Sequence, residues 1–309
     1  MRPKSTKMSK PTLLVLAAGM GSRYGGLKQM DGLGPAGEVL LEYSIYDALK
    51  AGFGKVVFII RKDIEDAFKE AVISRLPGDL PVGFAFQEID KLPEGFKGPA
   101  ERSKPWGTAH ALWCARDVVK ENFAVLNADD FYGFSGFKKL VDFFKENENQ
   151  LDTTGALIGF RLGKTLSDSG SVARGICRQD SDDFLSSIEE KTDIQTINGV
   201  LQCDLDAEPI TLTGEELVSM NFWGFSPAIF EKIDGLFAPW LAINGTELKT
   251  EFLLPSSIGD LVGSGKMKIK VLDSEDEWIG VTYAADKVST KARLLQLKEA
   301  GTYPEKLWN

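Results

Sequence analysis

Histidine is nearly absent from this sequence: His110 is the only one in 309 residues. That leaves little for a histidine-built metal centre or a Ser-His-Asp relay to work with. Cysteine is scarce too. Cys114, Cys177 and Cys203 are an odd number, far apart and without CxxC spacing, which suits reduced, buried thiols in a cytoplasmic protein rather than a disulfide framework or a zinc site. No apolar run reaches the length of a membrane span, since the run after the basic start MRPKSTKMSK covers only Thr12 to Ala18. Residues 1–10 read as a disordered leader, with Met8 as an alternative start. Cations are also in deficit. Lys and Arg number 36 against 45 acidic residues, a net charge of −9, which argues against nucleic acid as a partner. An acidic chain that handles a phosphorylated ligand must concentrate its cations locally.

What is present is an alternation of strands and helices. Leu13–Leu16 is a continuous apolar run of the kind found in central parallel strands. A Gly-rich stretch from Gly19 to Gly37 follows, then a helix from about Glu38 with Leu41, Ile45, Ala48 and Leu49 on one face and Gly52 at its end. Val56–Ile60 reads as a second strand, Asp63 as the cap of a second helix, and Val82–Phe86 as a third strand. Residues 88–104, rich in Pro, Gly and charge, read as a long surface loop that suits a lid or an interface. A helix from about Thr108, a strand at Phe123–Leu126 and an amphipathic helix at 136–146 come next.

Past that helix the pattern turns to strands, such as Thr154–Phe160, separated by polar stretches. Asn198-Gly199 marks a hairpin between Ile194–Ile197 and Val200–Cys203. Ser226-Pro227 opens a further helix, and another lies near 284–300. The expected fold is α/β: a Rossmann-like, three-layer α/β/α arrangement on a mixed, mostly parallel sheet. We read one domain over 11–290, a nucleotide-binding half at 11–134 and an acceptor-binding half at 135–290, with 291–309 as helix end and tail.

The most informative segment is Leu16-Ala17-Ala18-Gly19-Met20-Gly21-Ser22-Arg23-Tyr24-Gly25-Gly26-Leu27-Lys28-Gln29. Its glycines let backbone N–H groups approach phosphate oxygens, and Ala17 and Ala18 leave room for a base or ribose above the strand end. Arg23 and Lys28 supply charge for a triphosphate and its pyrophosphate leaving group. A dinucleotide fingerprint fails here, because Tyr24 stands at the third glycine's place and no acidic residue closes a second strand about 20 residues on. No Walker A loop is present. The plain alternative is a solvated turn.

This segment resembles the signature of the nucleotidyltransferase family that includes sugar-1-phosphate nucleotidylyltransferases and molybdenum-cofactor guanylyltransferase-like enzymes. Arg23 and Lys28 match the signature arginine and lysine, and Leu27 stands where the family usually has proline. The short Arg-to-Lys interval looks more like the cofactor-guanylyltransferase branch. Pro105-Trp106-Gly107-Thr108-Ala109-His110-Ala111 is similar to the family's Gly-Thr-x-His-Ala element, which implies base contacts from Gly107 and Thr108. Alone, Thr108 would be an ordinary helix cap and His110 a helix-surface histidine. Gln87, ending the third strand, offers an amide to a pyrimidine edge, so UTP or dTTP is the candidate NTP.

Nucleotidyl transfer needs alignment and charge neutralisation more than covalent help, and Mg²⁺ held by one or two carboxylates is the economical solution. Val125-Leu126-Asn127-Ala128-Asp129 looks like the family's Asn-Gly-Asp strand ending, with Ala128 for Gly, so Asp129 is the expected Mg²⁺ ligand. A strand-end Asp that merely caps a turn is the plain alternative. Many sugar enzymes of the family add a second metal-contacting Asp or Asn after a late Trp. Here Glu277-Trp278-Ile279-Gly280-Val281-Thr282 offers none, which leaves Thr282, Asp273 or Asp286 as substitutes.

On the acceptor side, Ser187-Ile188-Glu189-Glu190-Lys191 resembles the family's Glu-Glu-Lys strand end. The resemblance implies a sugar hydroxyl on Glu190 and the acceptor phosphate on Lys191. Arg174-Gly175-Ile176 is similar to a Tyr-Gly-Val segment whose glycine admits the sugar, and Asn221 looks like the Asn-x-Gly element beneath it. The implied reaction is NTP + sugar 1-phosphate → NDP-sugar + pyrophosphate, with Mg²⁺ as cofactor and neither nucleic acid nor membrane as partner. The alternatives are a molybdopterin or alcohol-phosphate acceptor, or a non-catalytic nucleotide or sugar-nucleotide sensor, which the missing second carboxylate favours.

Overall fold

A computed structural model describes residues 9–19, 32–167, 169–203, 209–281 and 283–308. The chain order is β1 (Thr12–Leu16), α1 (Leu40–Ala51), β2 (Lys55–Ile60), α2 (Glu65–Ala71), β3 (Val82–Phe86), α3 (Thr108–Cys114), β4 (Phe123–Asn127), β5 (Asp130–Phe131) and α4 (Phe134–Glu146). It continues with β6 (Thr154–Arg161), β7 (Val172–Gln179), β8 (Leu185–Ile197), β9 (Val200–Cys203), β10 (Ile210–Thr211), β11 (Leu217–Phe225), α5 (Ala228–Asn244), α6 (Leu254–Gly263), β12 (Lys268–Asp273), β13 (Ile279–Gly280) and α7 (Asp286–Glu299).

One mixed sheet runs β10-β9-β8-β7-β11-β4-β1-β2-β3, with β6 joining β11 to β12. β3, β2, β1 and β4 are mutually parallel, and β11 lies antiparallel to β4. Successive side chains of a strand leave on opposite faces, and the core divides accordingly. Leu13, Val15, Val56, Phe58, Ala124 and Leu126 pack on one face with Ile45 of α1, Phe68 of α2 and Phe137 of α4. Leu14, Val57, Ile59, Phe123 and Val125 pack on the other with Leu112 of α3, Phe237 of α5 and Ile258 of α6. Apolar side chains on both faces of β1, β2 and β4 explain why their sequences are unbroken apolar runs. The result is the expected three-layer α/β/α architecture.

Two local expectations change. Asp63 does not cap the second helix: it sits in a 3₁₀ turn at 62–64 and holds Arg61 through two bonds of 3.0 and 2.8 Å, so α2 starts at Glu65 with no side-chain cap. His110 is fully buried rather than on a helix surface. The Asn198-Gly199 hairpin is as read, with both residues at positive φ, 52° and 81°.

A third apolar cluster joins the end of the chain to its beginning. Leu294, Tyr303 and Leu307 pack with Leu33, Leu40, Tyr43, Phe131 and Ile279. Tyr303 donates to Asp47 of α1 at 2.6 Å, and Trp308 to Glu42 at 3.3 Å. Burial, first among its causes, pushes the Asp47 carboxyl up to about 7.

Candidate active site

The carboxyl ends of β1 and β4 lie side by side, with Leu16 opposite Asn127. Ligands of open α/β sheets gather at such ends. Leu16 is half-buried, Ala17 and Ala18 are buried, and Gly19 is exposed at the mouth. Gly21, Arg23 and Lys28 lie outside the described residues, as does Thr282. Asp129 is exposed two residues past the end of β4, which pairs with β1, and Asp130 turns inward. Burial, then the neighbouring Asp129 charge, raises Asp130 to about 7. Gly280 pairs with Asp130 across β13 and β5, so the late-Trp segment does run beside the Asp129-Asp130 turn. The suggested substitute carboxylates are engaged elsewhere. Asp273 pairs with Arg161, and Asp286 accepts from Ser167, Ser169 and the Tyr283 amide at the start of α7.

No cluster of three His, Cys, Asp or Glu side chains suited to a metal occurs among the described residues. A single exposed carboxylate does not make an all-protein cage. It does fit Mg²⁺, which keeps waters and takes further ligands from substrate phosphates.

The Gly107 turn is rigidly held. Gly107 has φ 104°, and a Cβ there would stand 2.5 Å from the Phe252 carbonyl oxygen. Thr108 accepts the Leu254 amide on its hydroxyl at 2.9 Å, tying α3 to the start of α6, and Gly107, not Thr108, is the helix cap. Gln87 donates from Nε2 to Gly107 O at 2.9 Å and to His110 Nδ1 at 3.2 Å, so its amide nitrogen is engaged within the protein. His110 in turn donates from Nε2 to Lys91 O at 2.8 Å, and burial depresses its pKa to about 4. It is therefore a neutral buttress. The 88–104 loop is fastened as well. Trp106 donates to Ile89 O, and Arg102 lies over the Trp106 ring and donates to Glu247 O and Thr250 O.

Beyond the end of β4 a cavity of about 160 Å³ opens between β7, β8, β11 and α6, lined by Asn127, Gly175, Ile188, Glu190, Asn221 and Pro255 among others. Three sequence-predicted acceptor residues thus meet in one place. Gly175 is paired directly with Glu190, and a Cβ on it would lie 2.9 Å from Ile188 and 3.5 Å from a Glu190 carboxylate oxygen, inside the space the pair frames. Burial raises the Glu190 pKa, with Arg174 opposing. Lys191, next on the strand, leaves on the opposite face from Glu190 and pairs with Glu189 at 2.7 Å, so it is not among the cavity's lining residues. Asn221 sits at φ 62° in a bulge of β11, where the register shifts between Ser219 and Trp223. Bulges re-aim side chains, and this one turns an amide into the cavity wall.

Asn127 is the residue that sequence reasoning missed. It stands inside the Asn-Ala-Asp strand ending, and only its pairing with Asn221 across the sheet brings it into the acceptor wall. The chain's Gly163-Lys164-Thr165 is no phosphate loop: it forms a 3₁₀ turn, and Thr165 holds Arg174.

The sequence pattern of the nucleotidyl transferase family matches residues 13–237. The chain belongs to that family. Among solved structures, this nucleotidyltransferase is similar to the inositol-1-phosphate CTP transferase from T. maritima, with 14% identity, a TM-score of 0.59, and coverage of 92% of this chain and 96% of that one. It is similar to UDP-glucose pyrophosphorylase from Acinetobacter baumanii at 12% identity and TM-score 0.57, covering 96% of each chain. HddC from Yersinia pseudotuberculosis matches at 16% identity and TM-score 0.53, over 92% of this chain and 99% of that one. No curated protein matches. At these identities the likeness establishes the nucleotidyltransferase fold.

Proposed function

We propose that the enzyme transfers a nucleoside monophosphate from an NTP to a sugar 1-phosphate and releases pyrophosphate, in a Mg²⁺-dependent reaction. The observation that carries the acceptor is the convergence of Gly175, Glu190 and Asn221 on one cavity beside the carboxyl ends of β1 and β4. A half-buried carboxylate and two amides in a small wall suit hydroxyl groups better than an extended aromatic ring.

In this reading an oxygen of the acceptor phosphate attacks the α-phosphorus of the NTP. The bond from that phosphorus to the bridging oxygen of the β-phosphate breaks, and pyrophosphate leaves with the electron pair. Arg23 and Lys28 hold the triphosphate and neutralise the leaving group. Asp129 would hold Mg²⁺, which when bound supplies charge neutralisation between the phosphates. Gly107 and Thr108 form the base-side wall, which Gln87 supports from behind rather than by touching the base. Glu190 accepts a sugar hydroxyl and Gly175 gives it room, while Lys191, turned to the other face of β8 and paired with Glu189, takes no part in holding the acceptor.

The structural likeness to an inositol-1-phosphate CTP transferase favours one second reading, transfer to a cyclic alcohol phosphate in the same cavity. Pyrophosphate release measured with Mg²⁺, each common NTP, and hexose 1-phosphates or inositol 1-phosphate tests both. Release with one NTP, only when a hexose 1-phosphate is present, is expected. Release with inositol 1-phosphate alone would replace the sugar reading, and silence from a folded, NTP-binding protein would sink both.

A further inference from the structure

We propose that buried Asp130 and Trp223 are positioning residues that fix the polarity of the acceptor wall, so that Asn127 and Asn221 present amide N–H donors, not carbonyls, to oxygen atoms of the acceptor. The inference rests on the sugar 1-phosphate reading for the ligand, but its geometry stands without it.

Four side chains form an unbroken relay. Trp223 donates from Nε1 to Asn221 Oδ1 at 3.0 Å. Asn221 donates from Nδ2 to Asn127 Oδ1 at 2.8 Å. Asn127 donates from Nδ2 to Asp130 Oδ2 at 3.0 Å. An amide can ordinarily be turned over, because its nitrogen and oxygen are nearly the same size. Here the Trp223 end forbids it. The indole N–H is a donor only, so it demands the oxygen of Asn221. With Asn221 so fixed, its nitrogen meets Asn127 Oδ1, and Asn127 turns its own nitrogen to Asp130 Oδ2, whose lone pairs accept whether or not the other carboxyl oxygen carries a proton. The two ends agree, and everything between them points one way.

The ends themselves are firmly set. Trp223 is fully buried, and Asp130 is 8% exposed. The Tyr132 hydroxyl lies 3.0 Å from Asp130 Oδ2 and 3.0 Å from Met220 O, while it accepts the backbone N–H of Asn127 at 3.1 Å. Asn221 keeps its left-handed backbone, φ 62°, within the bulge that lets its side chain reach across to β4. Each asparagine spends one amide N–H in the relay and keeps the other, and both line the cavity. Glu190, on the far wall, is an acceptor when ionised. The cavity is therefore donor on the Asn side and acceptor on the Glu side. That pattern selects a ligand with an oxygen acceptor toward the asparagines and a hydroxyl donor toward Glu190, and disfavours one that offers N–H groups to the asparagines.

The test substitutes each end and the middle. In Asp130→Asn the carboxylate is lost, and in Asn221→Asp an acceptor-only group is forced against Asn127 Oδ1. The side-chain amide resonances of Asn127, followed by NMR in the protein without substrate, should move in both variants while backbone signals elsewhere stay native. KM for glucose 1-phosphate or inositol 1-phosphate, whichever the wild type uses, should rise by roughly tenfold to a hundredfold, with KM for the NTP within about twofold. Trp223→Phe should show the same split with a smaller rise. Asn127 amide resonances unmoved in the variants, or an equal rise in both KM values, would overturn the proposal. If Asp130→Asn fails to fold, Asn221→Asp decides. Should the wild type use neither acceptor, the functional reading fails on its own, and the amide resonances still judge the relay.

Discussion

The two halves of the molecule build their sites by different means. In the half proposed to hold the nucleotide, β1 to β4 are parallel and largely apolar, and the residues proposed to face the ligand stand after strand ends, Gly19 and Asp129, or at the start of α3, the Gly107 turn. In the half proposed to hold the acceptor, the cavity lies within the strands. Gly175, Glu190 and Asn221 sit inside β7, β8 and β11, and two of those strand pairings carry register shifts. A strand whose faces are both committed to the core can offer a ligand only its end. A strand with one open face can offer its middle, but then it needs bulges and glycine to make the space. The same sheet can therefore serve two substrates.

That contrast can be broken most directly at the strand ends. Asp129→Ala should lower Mg²⁺-dependent turnover by on the order of a thousandfold or more while circular dichroism stays native, as should Arg23→Ala. Near-wild-type kcat/KM in either variant would remove the corresponding assignment. Gly107→Ala comes next. Its Cβ would strike the Phe252 carbonyl at a backbone angle that favours glycine, so a loss of about 2–4 kcal/mol of stability is expected in denaturant titrations. A loss below about 0.5 kcal/mol would mean that the turn can relax and that its rigidity is not what shapes the base wall.

Within the strands, Glu190→Gln should raise KM for the acceptor about tenfold and leave KM for the NTP nearly unchanged. Equal effects on both would dissolve the division between the halves. The smallest effect concerns the contact between α1 and the segment at 303–308. Asp47 titrates near 7 in the folded chain, above its ordinary value of 3.8. The folded state then holds its proton where the unfolded state has released it, so wild-type stability falls as pH rises from about 4 to 7 and levels off above. Asp47→Asn should remove this slope and be more stable than wild type at pH 8 by on the order of 1–3 kcal/mol, with little difference at pH 4. Parallel pH curves for the two proteins would show that Asp47 stays ionised in place.

The same contrast governs what could be read from the sequence. Leu13–Leu16, Val56–Ile60 and Phe123–Leu126 are legible because burial on both faces leaves an unbroken apolar run. β7, β12 and α6 went unread. The residues of β7, Val-Ala-Arg-Gly-Ile-Cys-Arg-Gln, mix charge and glycine because one face serves the cavity, and α6 carries two glycines and a proline in ten residues. Gly175, Glu190 and Asn221 were found only through resemblance to a family. Their meeting depends on register and on a bulge, which no local pattern encodes. Gln87 was a fair candidate by position, yet its amide nitrogen is taken up by Gly107 and His110, a consequence of tertiary packing. Asn127 was in plain view and had no role until a partner 94 positions away supplied one.

The closing segment of the chain also sets a schedule. Tyr303, Leu307 and Trp308 complete the packing around α1, the helix that follows the phosphate loop. During synthesis, the first-made part of the sheet must wait for residues 303–308 before its own helix is fully covered. A ribosome-bound chain stopped at residue 285 would carry every strand of the sheet, yet Tyr43 would lack its edge contact with Tyr303 and Asp47 its hydroxyl donor. Enlarging the side chain at Leu307 would therefore be felt at α1, far away in the sequence.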